Sequence, residues 1–404
     1  MRKILYISYD GLLDPLGASQ ILPYALNIAS SSQYFHIISF EKKDRLDEGA
    51  RELGVLLKEK GIHWTPLLFS SRWKPISKIY DLIKMHFCCL IICMRHSIKI
   101  VHARSHLSAQ VGLFLKIFFS VKLIFDFRGL WVDERVDKGG WDLSKSFHRM
   151  QFNLFKYIEK KLLQKSDHIV VLTNAVVSEV CKISNVSASK ITVIPCCADY
   201  NHFQSIDEDS IRTARSKLDI PEKSIVLGYL GSIGKIYLID RLFRLLEIAF
   251  QREQEIHIII ITKDLVELRN IINETVQESL LPFIHIASAS RAEVPKKINL
   301  MNAMVSFTQP SYARISMSPT KIAECFAIGV PVVVNEGVGD VASDIKKVKG
   351  GLVVPDASDK SLEYILDNLD EVLAKGGRAL RKSSHPFFSL EEAHALYQSV
   401  YSNV

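Results

Sequence analysis

Residues 310–340 read PSYARISMSPTKIAECFAIGVPVVVNEGVGD, and this stretch decides the fold. Its order predicts an extended loop over 310–319, then an amphipathic helix that carries Glu324. Gly329 stops that helix, and residues 330–335 follow as a buried strand. Helix, glycine stop and apolar strand in succession make one step of a parallel α/β layer. The start of such a helix offers backbone amides to phosphate, and a carboxylate one turn further on can bind ribose hydroxyls. The pair suits a nucleotide sugar.

Outward from this stretch the rhythm repeats. In the first half, apolar runs rich in β-branched residues predict strands at 3–8, 35–40, 99–103, 122–127, 168–172 and 191–194. Helices are expected at 19–30, 46–60, 76–96, 107–119, 144–165 and 174–184. Each strand is almost continuously hydrophobic, as when both faces of a sheet are covered. The polar, turn-rich stretch IPCCADYNHFQSIDEDS, residues 194–210, interrupts the cycle and marks a domain boundary. A second cycle follows, with strands at 224–229, 257–261, 284–286, 303–308, 330–335 and 351–353, and the tail FFSLEEAHALYQSVYSNV reads as a capped amphipathic helix. The pattern predicts an α/β protein of two facing Rossmann-like, doubly wound domains with a central cleft, where ligands meet the carboxyl ends of the strands. The divisions are 1–197, 198–385 and a final helix over 386–404.

The 404 residues exceed one ordinary core, and 48% hydrophobic with 24% charged residues is globular composition. The seven cysteines form no CxxC pair, which argues against a zinc site or a disulfide framework and favours reduced thiols in a cytosolic compartment. MRKILYISYD alternates as a strand and lacks the cleavage site of a signal peptide. The most apolar stretch, LIKMHFCCLIICM at 82–94, is shorter than the about 20 residues a membrane span needs. The net charge of +7 is concentrated. Arg72, Lys74, Lys78, Lys84, Arg95 and Lys99 surround the apolar stretch, and Lys145, His148, Arg149, Lys156, Lys160, Lys161 and Lys165 follow a helical pattern with Phe147, Phe152, Leu154, Phe155 and Ile158. Basic, aromatic helices of this kind rest on an anionic leaflet. No nucleic-acid motif accompanies the charge.

Three further segments carry chemistry. After the first strand, DGLLDPLGASQ makes a turn at Pro15 and Gly17, with Ser19 placed to cap the next helix and Gly17 to let the backbone approach a bulky ligand. It is not GxGxxG, which counts against a dinucleotide enzyme. The fifth strand ends in FDFRGLWVDERVDKGGW, crowding Asp126, Arg128, Trp131, Asp133, Glu134 and Arg135 at one exit. The second domain opens with IVLGYLGSIGK, where Gly231 and Gly234 precede a helix and Lys235 stands ready for phosphate.

These segments, with AIGVPVV at 327–333, NEGVGDVASDI, GGLVVP and FSLEEAHALY, resemble the retaining glycosyltransferases of family 4, two-domain enzymes of the GT-B fold. The DPLGxSQ and DxRGxW-like segments are similar to a bacterial surface-polysaccharide subgroup. The resemblance places Glu324 on the ribose and the Thr320 and Lys321 amides on the diphosphate. Departures are specific. Ser316 stands at the first of the family's two glutamates, whose partner on the donor sugar is therefore reassigned. Ser232 replaces an arginine after Gly231, leaving Lys235, Arg128 and Lys321 as candidates for the missing charge. Arg128 occupies the place of a histidine, followed by Gly129, and with Asp126 it is assigned to the acceptor and the reacting face. The final helix is expected to return to the first domain.

The resemblance implies transfer of a sugar from a nucleotide-diphosphate donor with retention, without metal or cofactor. No Asp-x-Asp metal motif on a strand–loop is evident in the residues themselves. The acceptor expected is a saccharide or a polyprenyl-linked sugar, used at the inner face of the membrane. A sugar-nucleotide epimerase of similar fold and a non-catalytic nucleotide-sugar-binding subunit stay open beside this reading.

Overall fold

The computed structural model describes residues 2–29, 34–70 and 74–404. Ser30, the expected end of the first helix, and Arg72 of the first basic set lie outside them. The chain divides into two compact units, Met1–Pro195 with Glu391–Val404, and Cys196–Leu390.

The first unit holds a seven-stranded sheet of β1 (Lys3–Ser8), β2 (Tyr34–Glu41), β3 (Ile62–Leu68), β4 (Ile100–Arg104), β5 (Lys122–Asp126), β6 (His168–Val171) and β7 (Ile191–Val193). The strands run parallel in the order β3-β2-β1-β4-β5-β6-β7. The second unit holds β8 (Ile225–Leu230), β9 (Ile256–Ile261), β10 (Ile284–Ala287), β11 (Ala303–Ser306), β12 (Val332–Asn335) and β13 (Gly351–Val354), parallel in the order β10-β9-β8-β11-β12-β13. Each is a Rossmann-type sheet whose order reverses beside its first strand, so β1/β4 and β8/β11 are the switch points. The cause is legible in the side chains. Ile258 to Ile261 of β9 are all buried, each stabilising the unit by about 1.5–3 kcal/mol. Such a run has no solvent face and needs helices on both sides.

Several expectations are corrected. The strand β3 was hidden because Pro66 and the half-exposed His63, Trp64 and Thr65 interrupt its apolar pattern. It is tolerated because β3 is an edge strand, where a missing N–H breaks little of the ladder. Residues 15–29 do not make a turn followed by a Ser19-capped helix. Pro15–Gln20 is itself a short helix with Pro15 in its first turn, and Leu22–Ala29 follows it. Ser19 lies inside the first helix and donates its hydroxyl to the Pro15 carbonyl at 2.8 Å. The loop at 310–319 is not extended throughout, since Tyr312–Ser316 coils into a 3-10 turn. The segment after β5 becomes a helix, Trp131–Asp137, whose first turn holds Asp133 and Glu134 where the macrodipole favours them. The tail forms the single helix Leu390–Asn403, and a separate helix, Arg378–Phe388, precedes it. All seven cysteines are free.

Candidate functional site

In the second unit the chain leaves β8 at Gly231, which has φ +134° and donates its N–H to the Ile261 carbonyl at 3.0 Å. The turn is then pinned from both sides. The Tyr229 hydroxyl donates to the Ser232 carbonyl at 2.6 Å, and the Ile233 N–H donates to the Asp264 carboxylate at 2.8 Å. Tyr237 pairs with Thr308 beyond the end of β11, so the two exits at the switch point are tied together. Lys235 is exposed on this turn.

Into the same place comes Lys321, from the helix Thr320–Ile328. Its Nζ lies 4.7 Å from the Tyr229 ring centre and 4.8 Å from that of Tyr237. A Cβ on Gly231 would sit 3.7 Å from it. The ammonium is buried and has no hydrogen-bond partner among the described residues. Burial lowers its pKa from 10.5 to about 8, against the raising pull of Cys325 and Glu324. A buried cation with no hydrogen-bond partner among the described residues, beside a glycine turn, is a ready anion receptor. Pro319 precedes the helix and supplies no side-chain cap, so the first turn relies on other acceptors.

One turn on, Glu324 is buried, which removes the alternative of an ordinary exposed helix glutamate. Its Oε1 accepts a hydrogen bond from Arg291, whose guanidinium lies 4.8 Å from the Phe203 ring centre. Ser316 is buried too, and its hydroxyl donates to the Ala313 carbonyl at 2.7 Å. Thr320 opens the helix, and the helix closes at Gly329 in the left-handed conformation, as the sequence indicates. Lys321, Glu324 and Gly231 are thus brought together in one unit. Sequence reasoning missed two arginines here, Arg291 and the buried Arg314. Arg314 could have been found as the lone charge in an otherwise neutral SYARISMS run.

In the first unit the strand ends at β1, β4 and β5 converge on Asp126. Its carboxylate is buried, with Oδ2 3.6 Å from Arg104 Nη1 and 3.7 Å from His102 Nε2, and Oδ1 3.6 Å from Arg128 Nη1. Burial alone would raise its pKa, but Arg128, His102 and Arg104 overrule that and hold it down to about 2. Arg104 and Arg128 each donate an Nη2 hydrogen bond to Gln20 Oε1, both at 3.0 Å. One neutral amide oxygen therefore gathers two guanidiniums at the switch point. Asp126 is too buried to touch a ligand directly, so its influence passes through the two arginines. Behind the cluster, His102 Nδ1 is hydrogen-bonded to the Tyr401 hydroxyl from the final helix, and Tyr6 lies 4.6 Å from the His102 ring.

Gly17 has a packing role. A Cβ there would collide with the Gly11 carbonyl, so the Pro15–Gln20 helix lies directly on the loop after β1. That loop is held by Glu41, at the end of β2, which accepts the Leu12 N–H at 2.8 Å and the Leu13 N–H at 3.2 Å. Sequence reasoning passed over Glu41, although an acid closing the apolar strand YFHIISFE was a signal. Gln20 and Arg104 were missed as well.

Residues 34–202 match the model of Glycosyltransferase Family 4. No curated protein matches it significantly in sequence. Among solved structures, a glycosyltransferase from Rickettsia africae is 14% identical with a TM-score of 0.69, the match covering 99% of this chain and 98% of that one. HepE of Anabaena in complex with UDP-glucose is 14% identical with a TM-score of 0.70, covering 100% of both chains. Sucrose-phosphate synthase from Thermosynechococcus elongatus is 15% identical with a TM-score of 0.71, covering 100% of this chain and 98% of the other. At such identities the likeness establishes the fold, GT-B, over the whole length of this chain.

Proposed function

We propose that this protein is a family-4 glycosyltransferase that moves a sugar, with retention at the anomeric carbon and without metal, from a nucleoside-diphosphate sugar to a saccharide or lipid-linked acceptor in surface-polysaccharide assembly. The observation that carries this is the buried ammonium of Lys321 beside Gly231, with no hydrogen-bond partner among the described residues, one helical turn from the buried carboxylate of Glu324. That pairing matches a diphosphate followed by a ribose. Lys321, the Thr320 amide and the exposed Lys235 receive the diphosphate. Glu324 binds the ribose hydroxyls with the oxygen that Arg291 leaves open, and Ser316 stands toward the donor sugar. The UDP-glucose bound by HepE is a ligand of this class.

The chemistry asked of the residues is electrostatic. As the bond between the anomeric carbon and the diphosphate oxygen breaks, its electron pair goes to the leaving group, and positive charge develops on the sugar. A preorganised cation in a dry site stabilises that leaving group at little reorganisation cost. Arg128, held by Asp126 and Gln20, orients the acceptor. The enzyme works at the cytoplasmic face of a membrane, where a polyprenyl-linked acceptor would present its sugar.

The test is to incubate purified protein with uridine, guanosine and thymidine diphosphate sugars, each with and without membranes. Label is expected in a glycolipid only when donor and membranes are both present. A donor converted in the absence of membranes indicates an epimerase. Nucleotide that binds without any transfer indicates a binding subunit.

A further inference from the structure

One face of the first unit is unlike the rest of the molecule. The helices Lys74–His96, Ser105–Phe118 and Ser146–Lys165 are the crossovers into β4, β5 and β6. All three crossovers step in the same direction across the sheet, so their right-handed connections put the helices on one side. They pack in sequence, the first against the second and the second against the third. Their outer surfaces therefore form a single layer pointing away from the sheet.

That layer is apolar where water should be. On the first helix Ile79, Ile83 and Phe87, spaced by four, are each more than 60% exposed, with Met94 further along the same stripe. On the third, Phe147, Met150, Leu154 and Tyr157 make a second exposed stripe at spacings of three and four. Between them Ile117 and Phe118 protrude from the end of the middle helix. Isolated exposed apolar residues are ordinary, but three aligned helices bearing them are not.

The exposed charge carried by the three helices themselves has one sign. The three helices contain two acidic residues, Asp81 and Glu159, and both are buried. Asp81 accepts the Ser70 N–H at 3.2 Å, and Glu159 is closed by His106 at 2.9 Å and Lys156 at 2.6 Å. No carboxylate on the three helices reaches solvent. Lys78, Arg95, Arg149, Lys160 and Lys165 do. A protein partner with an acidic, apolar surface would be one match to such a face. A broad run of aromatic and branched side chains, on helices whose exposed charges are all cations, fits better the headgroup boundary of an anionic bilayer. The first helix, about 35 Å long at 1.5 Å per residue, would lie in the plane of that boundary. No helix among the described residues is long and apolar enough to cross a membrane.

We infer that the outer layer of these three helices is the surface by which the protein docks on anionic lipid, with Ile83, Phe87, Phe147 and Leu154 inserted and the lysine and arginine rim on the headgroups. The inference deepens the membrane-face reading above and rests on it for its purpose. Its test is independent of any sugar transfer. Purified protein is floated with vesicles of phosphatidylcholine alone and of phosphatidylcholine with phosphatidylglycerol, at low and high salt. The wild type is expected to float with the anionic vesicles at low salt, at least tenfold more than with neutral ones, and to be released substantially at high salt. Ile83→Glu with Phe87→Glu, and separately Phe147→Glu with Leu154→Glu, are each expected to cut anionic binding at least tenfold while far-ultraviolet circular dichroism and nucleotide binding stay unchanged. Equal flotation of folded variants and wild type would overturn the inference, as would failure of the wild type to bind anionic vesicles. So would light scattering showing that the variants dissolve a dimer without altering vesicle binding, which would make the face a contact between copies.

Discussion

Lys321→Met is expected to raise stability and weaken nucleotide binding together. The ammonium is fully buried, and its pKa falls from 10.5 to about 8 on folding because burial penalises the charge. The fall from 10.5 to about 8 corresponds to roughly 3 kcal/mol. Contacts with the Tyr229 and Tyr237 rings return part of this, since a cation over an aromatic face contributes about 0.5–2 kcal/mol. A net cost on the order of 1–2 kcal/mol remains. Methionine keeps the volume without the charge, so the variant should melt roughly 2–8 °C higher at pH 7. The pH sign is fixed by the direction of the shift. The unfolded chain holds the proton more tightly, so the cost is fully present below about pH 8 and disappears as pH rises toward 10.5. The gap in melting temperature between variant and wild type should close over that window. Diphosphate binding moves the other way. Losing a charged hydrogen-bond partner costs roughly 1.5–3 kcal/mol, about 10- to 150-fold in Kd. Wild-type affinity should itself fall as pH passes about 8. Thermal unfolding from pH 7 to 10, with calorimetric titration of UDP and GDP, reads both effects. A variant that melts lower and binds diphosphate unchanged would refute the reasoning, placing Lys321 among residues that only pack.

Three other outcomes follow from the same geometry. Glu324→Ala should weaken nucleotide binding by roughly 1.5–3 kcal/mol in calorimetry, and Arg291→Ala, which releases the partner that fixes the carboxylate, should weaken it by a smaller step. Arg128→Ala should lower turnover more than it lowers nucleotide affinity, and equal losses in kcat and affinity would move Arg128 to the donor diphosphate. Asp126, held at about 2 by Arg128, His102 and Arg104 against the cost of burial, contributes roughly 2 kcal/mol of stability above pH 4 that is lost as pH falls through about 2. Denaturant unfolding of Asp126→Asn should show that loss already at pH 7 and little difference from wild type near pH 2.

The strands of both sheets could be read from the chain because a strand covered on two faces is apolar at every position, and no surface pattern imitates this. Edge strand β3 was not legible because one side of it is half in water, and Pro66 there removed the remaining cue. In the site, Lys321 and Glu324 were readable because they share a helix and a local spacing. Arg291 was not, since it reaches Glu324 from 33 residues away. Gln20 joins Arg104 and Arg128 across 84 and 108 residues. Such partners are set by which strand ends meet at a switch point, a property of topology rather than of neighbouring letters.

The Tyr401 hydroxyl, bonded to His102 from the helix Leu390–Asn403, gives that helix unusual weight. A change confined to it would strip the aromatic contact from the histidine beside Asp126, and so loosen both arginines much earlier in the sequence. Scanning substitutions along this helix should therefore show function falling sharply at Tyr401, far in sequence from every residue that would meet a ligand.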